Sequence, residues 1–181
     1  MSDIDLDDID KSEAFEGVML PHLDSAHNLA RWLTGNDQDA QDIVQEAYLR
    51  AYRFFSGFRG GDARAWLLTI VRNTTFTWLR KNRPAAVTEF DEASHSLDEV
   101  APDPPTILIQ NATIDSVRAA ITALPTEFRE VLILRELEGL SYKQIAEVAE
   151  LPIGTVMSRL ARARGLLQQR LGSLQSKEEG R

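Results

Sequence analysis

Arg159, Arg162 and Arg164, with Thr155, Met157 and Ser158 just ahead of them, stand in a run over 153–172 that carries +4 and no acid. The chemistry open to such side chains is recognition rather than bond-making. A guanidinium donates paired N–H groups that match the acceptors of guanine or a phosphate, and a short hydroxyl bonds a base edge or a phosphate. Thr155, Ser158, Arg159 and Arg162 fall at i, i+3, i+4 and i+7, which predicts one exposed helical face. Val156, Leu160, Ala163 and Leu167, at i, i+4, i+7 and i+11, predict the buried face of the same helix. Upstream, Ser141 and Gln144 have the spacing of a capping box for a short helix over 142–149. Glu150–Gly154 is a tight turn, and Ala146 is small where the two helices must cross. Ile145, Leu151, Val156 and Leu160 fill the angle between them. This is the pattern of a helix-turn-helix, whose second helix enters a major groove. A plain solvated arginine face is the competing reading; the cap, the turn and the small crossing residue together weigh for DNA.

A second basic block lies over 50–83, where Arg50, Arg53, Arg59, Arg64, Arg72, Arg80, Lys81 and Arg83 meet Asp62 alone, a net +7. Trp66, Phe76 and Trp78 interleave with these cations, and rings beside arginines suit single-stranded or melted DNA. Trp66 also falls in an apolar stripe, which favours a core role; Trp78 fits either role.

These blocks are hidden in the totals. The 181-residue chain has a net charge of −8, which by itself argues against nucleic acid. Residues 1–49 carry −10 and residues 84–112 carry −6, so the acid is segregated from the two basic segments. There are no cysteines, which excludes disulfides, zinc-thiolate sites and thiol catalysis. His22, His27 and His95 leave little for a histidine metal site. Asp39, Asp42 and Glu46 form an acidic cluster with no further ligand converging on it in sequence, so no metal is expected. No phosphate-binding glycine loop or nucleophile motif is present. The expectation is therefore no enzyme, no catalytic residues and no cofactor. The acidic start MSDIDLDDID lacks the features of a signal peptide, and no apolar stretch reaches the ~18 residues of a membrane span. A cytoplasmic protein without membrane insertion is expected.

The elements that must position these residues read as helical throughout. Phe15, Val18, Met19, Leu23, Ala26, Ala30 and Leu33 run through a helical segment over 13–33 that Pro21 kinks or restarts. The TGND turn at 34–37 caps a helix to about Phe55, with Ile43, Ala47, Ala51 and Phe54 or Phe55 on its inner face. Asp62 caps a third helix to about Asn82, striped by Trp66, Leu67, Ile70, Val71, Thr74, Trp78 and Leu79. The segment over 83–106 holds four of the seven prolines and many acids, and reads as a linker. Beyond it a helix is expected over about 106–123. Thr126 is expected to cap the next, with Phe128, Val131, Leu132 and Leu137 buried. The long final helix is expected over about 155–171. The prediction is an all-α chain of two small helical domains, 12–83 and 112–172, joined by an acidic linker over 84–111.

In two places the sequence resembles the extracytoplasmic-function group of bacterial sigma factors. DAQDIVQEAYLRAYRFFSGFRG with AWLLTIVRNTTFTWLRKNRP is similar to region 2 of that group. LPTEFREVLILRELEGLSYKQIAEVAELPIGTVMSRLARARGLLQQRL is similar to region 4. The resemblance implies a factor that binds core RNA polymerase, directs it to promoter DNA and helps melt it, held when idle by an anti-sigma factor. It implies that Asp39, Asp42, Gln45, Glu46, Leu49, Arg50 and Arg53 meet the polymerase. It implies that Arg59, Trp66, Arg72, Asn73, Thr77, Trp78, Arg80 and Lys81 meet the minus-ten element. Lys143, Thr155, Met157, Ser158, Arg159, Arg162 and Arg164 are implied at the minus-thirty-five element. Two positions depart from the pattern. Met157 stands where many members carry Lys or Arg, and Glu150 holds a turn position often occupied by Gly. The acidic linker is expected either to mimic nucleic acid in a basic channel or to act as a tether. The alternative to the whole assignment is a stand-alone helix-turn-helix regulator, which would lack the region 2 motif.

Overall fold

The structure, a computed structural model, describes residues 6–87 and 113–179. Among these residues every regular element is helical. The chain forms two compact units that divide after Lys81.

The first unit contains α1 (Leu6–Met19), α2 (Leu23–Thr34), α3 (Asp37–Phe54) and α4 (Ala63–Asn82). Pro21 lies in a 3-10 turn, Leu20–His22, that separates α1 from α2, because proline suits the first turn of a helix and breaks its interior. The α2–α3 turn is specified locally. Gly35 takes the left-handed φ of 71° and its N–H closes on the Arg31 carbonyl at 2.8 Å. Asn36 then caps α3, accepting the Asp39 N–H at 2.9 Å. Ala26, Ala30, Ala40, Ala47 and Ala51 are fully buried, so small residues let α2 and α3 approach closely around Leu29, Leu33 and Ile43. Asp62 caps α4 through the Ala65 N–H at 2.9 Å. Of Phe54 and Phe55, either of which the spacing allowed on the inner face of α3, the structure takes Phe55, which turns in against Phe15 with ring centroids 5.3 Å apart, while Phe54 is 65% exposed. Phe76 is buried at 3% exposure, and so is not an aromatic offered to DNA.

The second unit contains α5 (Ile114–Thr122), α6 (Thr126–Leu132), α7 (Tyr142–Ala149) and α8 (Ile153–Glu179). The linker and the expected helical turn over 106–112 lie almost wholly outside the described residues. Thr126 does not cap α6. Pro125 holds the cap position, and the Thr126 hydroxyl donates to the Ala86 carbonyl at 2.7 Å. A π turn, Ile133–Leu137, follows α6. Its wider winding brings Ile133 and Leu134 into the core and turns Leu137 out to 52% exposure, against the expected buried stripe. Arg129 donates to the Thr122 and Leu124 carbonyls at 2.6 and 2.7 Å, tying α6 to the end of α5. Burial lowers the pKa of that guanidinium, and the Glu127 charge opposes the shift.

Candidate nucleic-acid interface

α7 is held by a reciprocal capping box. Ser141 Oγ accepts the Gln144 N–H at 3.1 Å, and Gln144 Oε1 accepts the Ser141 N–H at 2.8 Å. α7 ends on Glu150 with φ 56° and ψ 47°, a left-handed residue whose N–H reaches the Ala146 carbonyl. That turn aims α8. Val156, Leu160, Ala163 and Leu167 are buried at 4% exposure or less, as their spacing predicts.

With about 100° between successive residues of a helix, the side of α8 opposite this core carries Gly154, Ser158, Ala161, Arg162 and Gly165. The predicted set therefore divides. Ser158 and Arg162 share the outward side, with Met157 on one flank and Thr155 and Arg159 on the other. Thr155, Ser158, Arg159 and Arg162 are half-buried rather than exposed, whereas Met157 is 47% exposed. The Ser158 hydroxyl turns back to the Thr155 carbonyl at 3.1 Å. Arg164 points elsewhere: its Nη2 and Nε lie 2.7 and 3.2 Å from Glu136 Oε1 in the π turn, and its side chain is 17% exposed. Burial opposes the Arg164 charge, but the hydrogen bonds and charges of Glu136 and Tyr142 outweigh it and raise the pKa. Lys143 is exposed in the first turn of α7. Sequence reasoning did not include Ala161; its i+4 spacing from Met157 was the available signal. It also did not include Glu136, which is distant in sequence from Arg164.

On α4 the same wheel brings Trp66, Asn73, Thr77 and Arg80 into one outward row, with Lys81 beside it and Ile70 within it. Thr77 is exposed and its hydroxyl donates to the Asn73 carbonyl at 2.9 Å. Trp66 is half-buried and packs on Phe58 with centroids 5.2 Å apart, so it keeps one part in the core and one toward solvent. Arg72 lies to the side, 4.1 Å over the buried Phe76 ring and donating to Asn73 Oδ1 at 3.2 Å. Trp78 is half-buried on the opposite flank. Arg59 is exposed in the preceding loop, where Gly60 and Gly61 take φ of 86° and 91°, conformations that side chains rarely adopt. Four threonines of α4 (Thr69, Thr74, Thr75 and Thr77) donate back to the carbonyl four residues earlier, a bond that competes with helix water contacts and tends to bend a helix.

On α3, Asp42, Gln45, Glu46, Leu49 and Arg53 are exposed, and Asp39 and Arg50 are half-buried. Arg50 Nε meets Glu46 Oε1 at 2.8 Å, an i,i+4 pair. Leu49 is 54% exposed between these charges. Beside Gln45 opens a cleft of about 500 Å³ lined by Leu20, Leu23, His27, Val44 and Tyr48. The Tyr48 hydroxyl donates to the Met19 carbonyl at 2.9 Å, and burial together with the Asp24 charge raises its pKa to about 12. No helix among the described residues is long and apolar enough to cross a membrane.

Comparison with known proteins matches both units. The profile of Sigma-70 region 2 fits residues 19–85, and that of Sigma-70, region 4 fits residues 114–167. The RNA polymerase sigma-H factor of Pseudomonas aeruginosa is 36% identical over 170 residues, covering 89% of this chain and 88% of that protein. The ECF RNA polymerase sigma-E factor of Escherichia coli K12 is 36% identical over 145 residues, 75% of each chain. Among solved structures, the sigma factor RpoE in complex with the anti-sigma factor NepR from Bartonella quintana superposes with a TM-score of 0.68 at 29% identity. That match covers 88% of this chain and 98% of the other.

Proposed function

The chain belongs to the sigma-70 family, as one of its extracytoplasmic-function factors, and we propose that it divides promoter reading between α4 and α8. It directs promoter-specific initiation of transcription. In the reading proposed here, region 2 spans 12–83, region 4 spans 112–172, and the acidic segment over 84–111 links them. α3 offers Asp39, Asp42, Gln45, Glu46, Leu49, Arg50 and Arg53 to core RNA polymerase, an apolar centre with charges around it. The outward row of α4 (Trp66, Asn73, Thr77 and Arg80), with Arg59 and Lys81, meets the minus-ten element as it melts. Arg72 supports Asn73 from the side, and Trp78 stands at the edge of that surface. α8 lies in the major groove of the minus-thirty-five element. Ser158 and Arg162 face base edges, while Thr155, Arg159 and Lys143 face phosphates. Arg164 acts through Glu136 to hold α8 in place.

The observation that carries this reading is the outward side of α8, aimed by a capped α7 and a single left-handed residue and free of acid over 153–172. A stand-alone regulator has no use for a region 2, and both regions occur in order. The chain acts by binding, in the cytoplasm where promoters are, with an anti-sigma factor as its restraining partner. The test is reconstitution with core RNA polymerase and transcription from a random promoter library. Selected promoters sharing two spaced elements are expected, with one element lost for the Arg162→Ala variant. Failure of the chain to bind core polymerase overturns the reading.

A further inference from the structure

α8 carries a row of residues to which the roles above assign nothing. Ile153, Met157, Ala161 and Gly165 recur every four residues and so form one ridge along the helix. None of them has a charge or an N–H or O–H donor on its side chain. Ile153 is 51% and Met157 47% exposed, so two large apolar groups face water at the end of the helix that leads into the groove. The neighbouring ridge is Gly154, Ser158, Arg162 and Leu166, and it holds the polar groups. The first ridge runs from beside the buried Val156, Leu160, Ala163 and Leu167 at Ile153 round to the far side at Gly165, and the second lies on the far side from them.

We propose that the Met157–Ala161 ridge reads thymine, packing its exposed carbons on the C5-methyl groups of the minus-thirty-five element while Ser158 and Arg162 bond neighbouring base edges. The proposal rests on the placement of α8 in that major groove. The thymine methyl is the apolar group that a base pair displays there. Residues four apart stand ~6 Å apart along a helix, and base pairs are stacked ~3.4 Å apart, so Met157 and Ala161 face positions about two base pairs apart. Ala161 is short and admits a base closely; Met157 is long and unbranched and adapts to what lies opposite. Arg159 and Arg162 beside the ridge, with no acid over 153–172, suit the phosphate wall of a groove and do not suit an apolar protein partner.

The test uses holoenzyme, reconstituted with core RNA polymerase, on a promoter selected from the random library. Three forms of the upstream element are compared: intact, with each thymine replaced in turn by deoxyuridine, and scrambled. Deoxyuridine keeps every hydrogen-bonding group of thymine and lacks only the methyl. Binding is expected to weaken about fourfold for each packed methyl group removed, the factor that burial of one such group carries. Met157→Ala is expected to bind the intact promoter more weakly and to ignore deoxyuridine at one position that the wild type senses. Wild-type binding that ignores deoxyuridine yet collapses on the scrambled element overturns the thymine proposal and leaves the family reading standing. Equal binding to scrambled and intact elements removes α8 from the groove and takes the proposal with it. Undiminished deoxyuridine sensitivity in both Met157→Ala and Ala161→Gly overturns the assignment to this ridge.

Discussion

Glu150 sits in the left-handed region, at φ 56° and ψ 47°, in the turn between α7 and α8. An L-residue with a Cβ costs roughly 1–2 kcal/mol there, because Cβ crowds the following carbonyl. Glycine removes that cost but gains freedom in the unfolded chain, which returns about 0.5–1 kcal/mol. Glu150→Gly is therefore expected to stabilise the second unit by about 0.5–1 kcal/mol. For a domain of this size that raises Tm by roughly 2–8 °C. Glu150→Ala is the reference: it removes the carboxylate and keeps the strained backbone. The difference between the Gly and Ala variants isolates the backbone term. Differential scanning calorimetry of the full chain measures it, read on the transition that α7 and α8 share. Promoter affinity of the holoenzyme is expected to stay within about twofold, since the same turn forms with less strain. A Gly variant no more stable than the Ala variant would refute the strain argument.

Arg164→Ala is expected to lower the stability of the second unit by ~1 kcal/mol, since it breaks a half-buried charge pair with Glu136. It is expected to weaken binding equally across all upstream sequences; a change of base preference would instead make Arg164 a base contact. Arg162→Ala is expected to cost ~1–3 kcal/mol at the intact upstream element and nothing at a scrambled one, measured by holoenzyme binding. Tyr48→Phe removes the bond to the Met19 carbonyl and is expected to cost ~1 kcal/mol at neutral pH. The folded Tyr48 ionises near pH 12 against an ordinary 10.0, so the unfolded chain loses its proton first. Wild-type stability from this group is thus present below pH 10 and is lost as pH rises toward 12, a loss absent from the Phe variant and visible in alkaline melts. The free chain, acidic overall, is expected to bind promoter DNA weakly and to release it steeply with salt, while holoenzyme binds specifically in filter or mobility-shift assays.

Much of this is legible in the sequence. Cap residues act within one turn, so Ser141 with Gln144, Asp62 and the TGND turn could be recognised from spacing alone, and the structure forms each of them. The helical stripes of α8 and most of α3 follow from periodicity, and charge segregation marked both basic segments. The two family motifs each lie in one continuous stretch, which is why region order and gap could be read directly.

What sequence spacing could not decide was which of two helical flanks faces out. Arg162 and Arg164 are two residues apart and look alike in the sequence; only the π turn, by bringing Glu136 across from a distant position, draws Arg164 inward and leaves Arg162 outward. Phe54 and Phe55 differ in the same way, since the end of the bundle and the Phe15 ring select one of two adjacent aromatics. Leu137 has the spacing of a buried position, but the wider winding of the π turn rotates it outward. By itself the sequence determined most of the helices, the caps of α3, α4 and α7 and the placing of charge, because those depend on neighbours within a few residues. Which arginine keeps to the outward side and which braces the helix depended on contacts between segments far apart in the chain, and those exist only once the unit has packed.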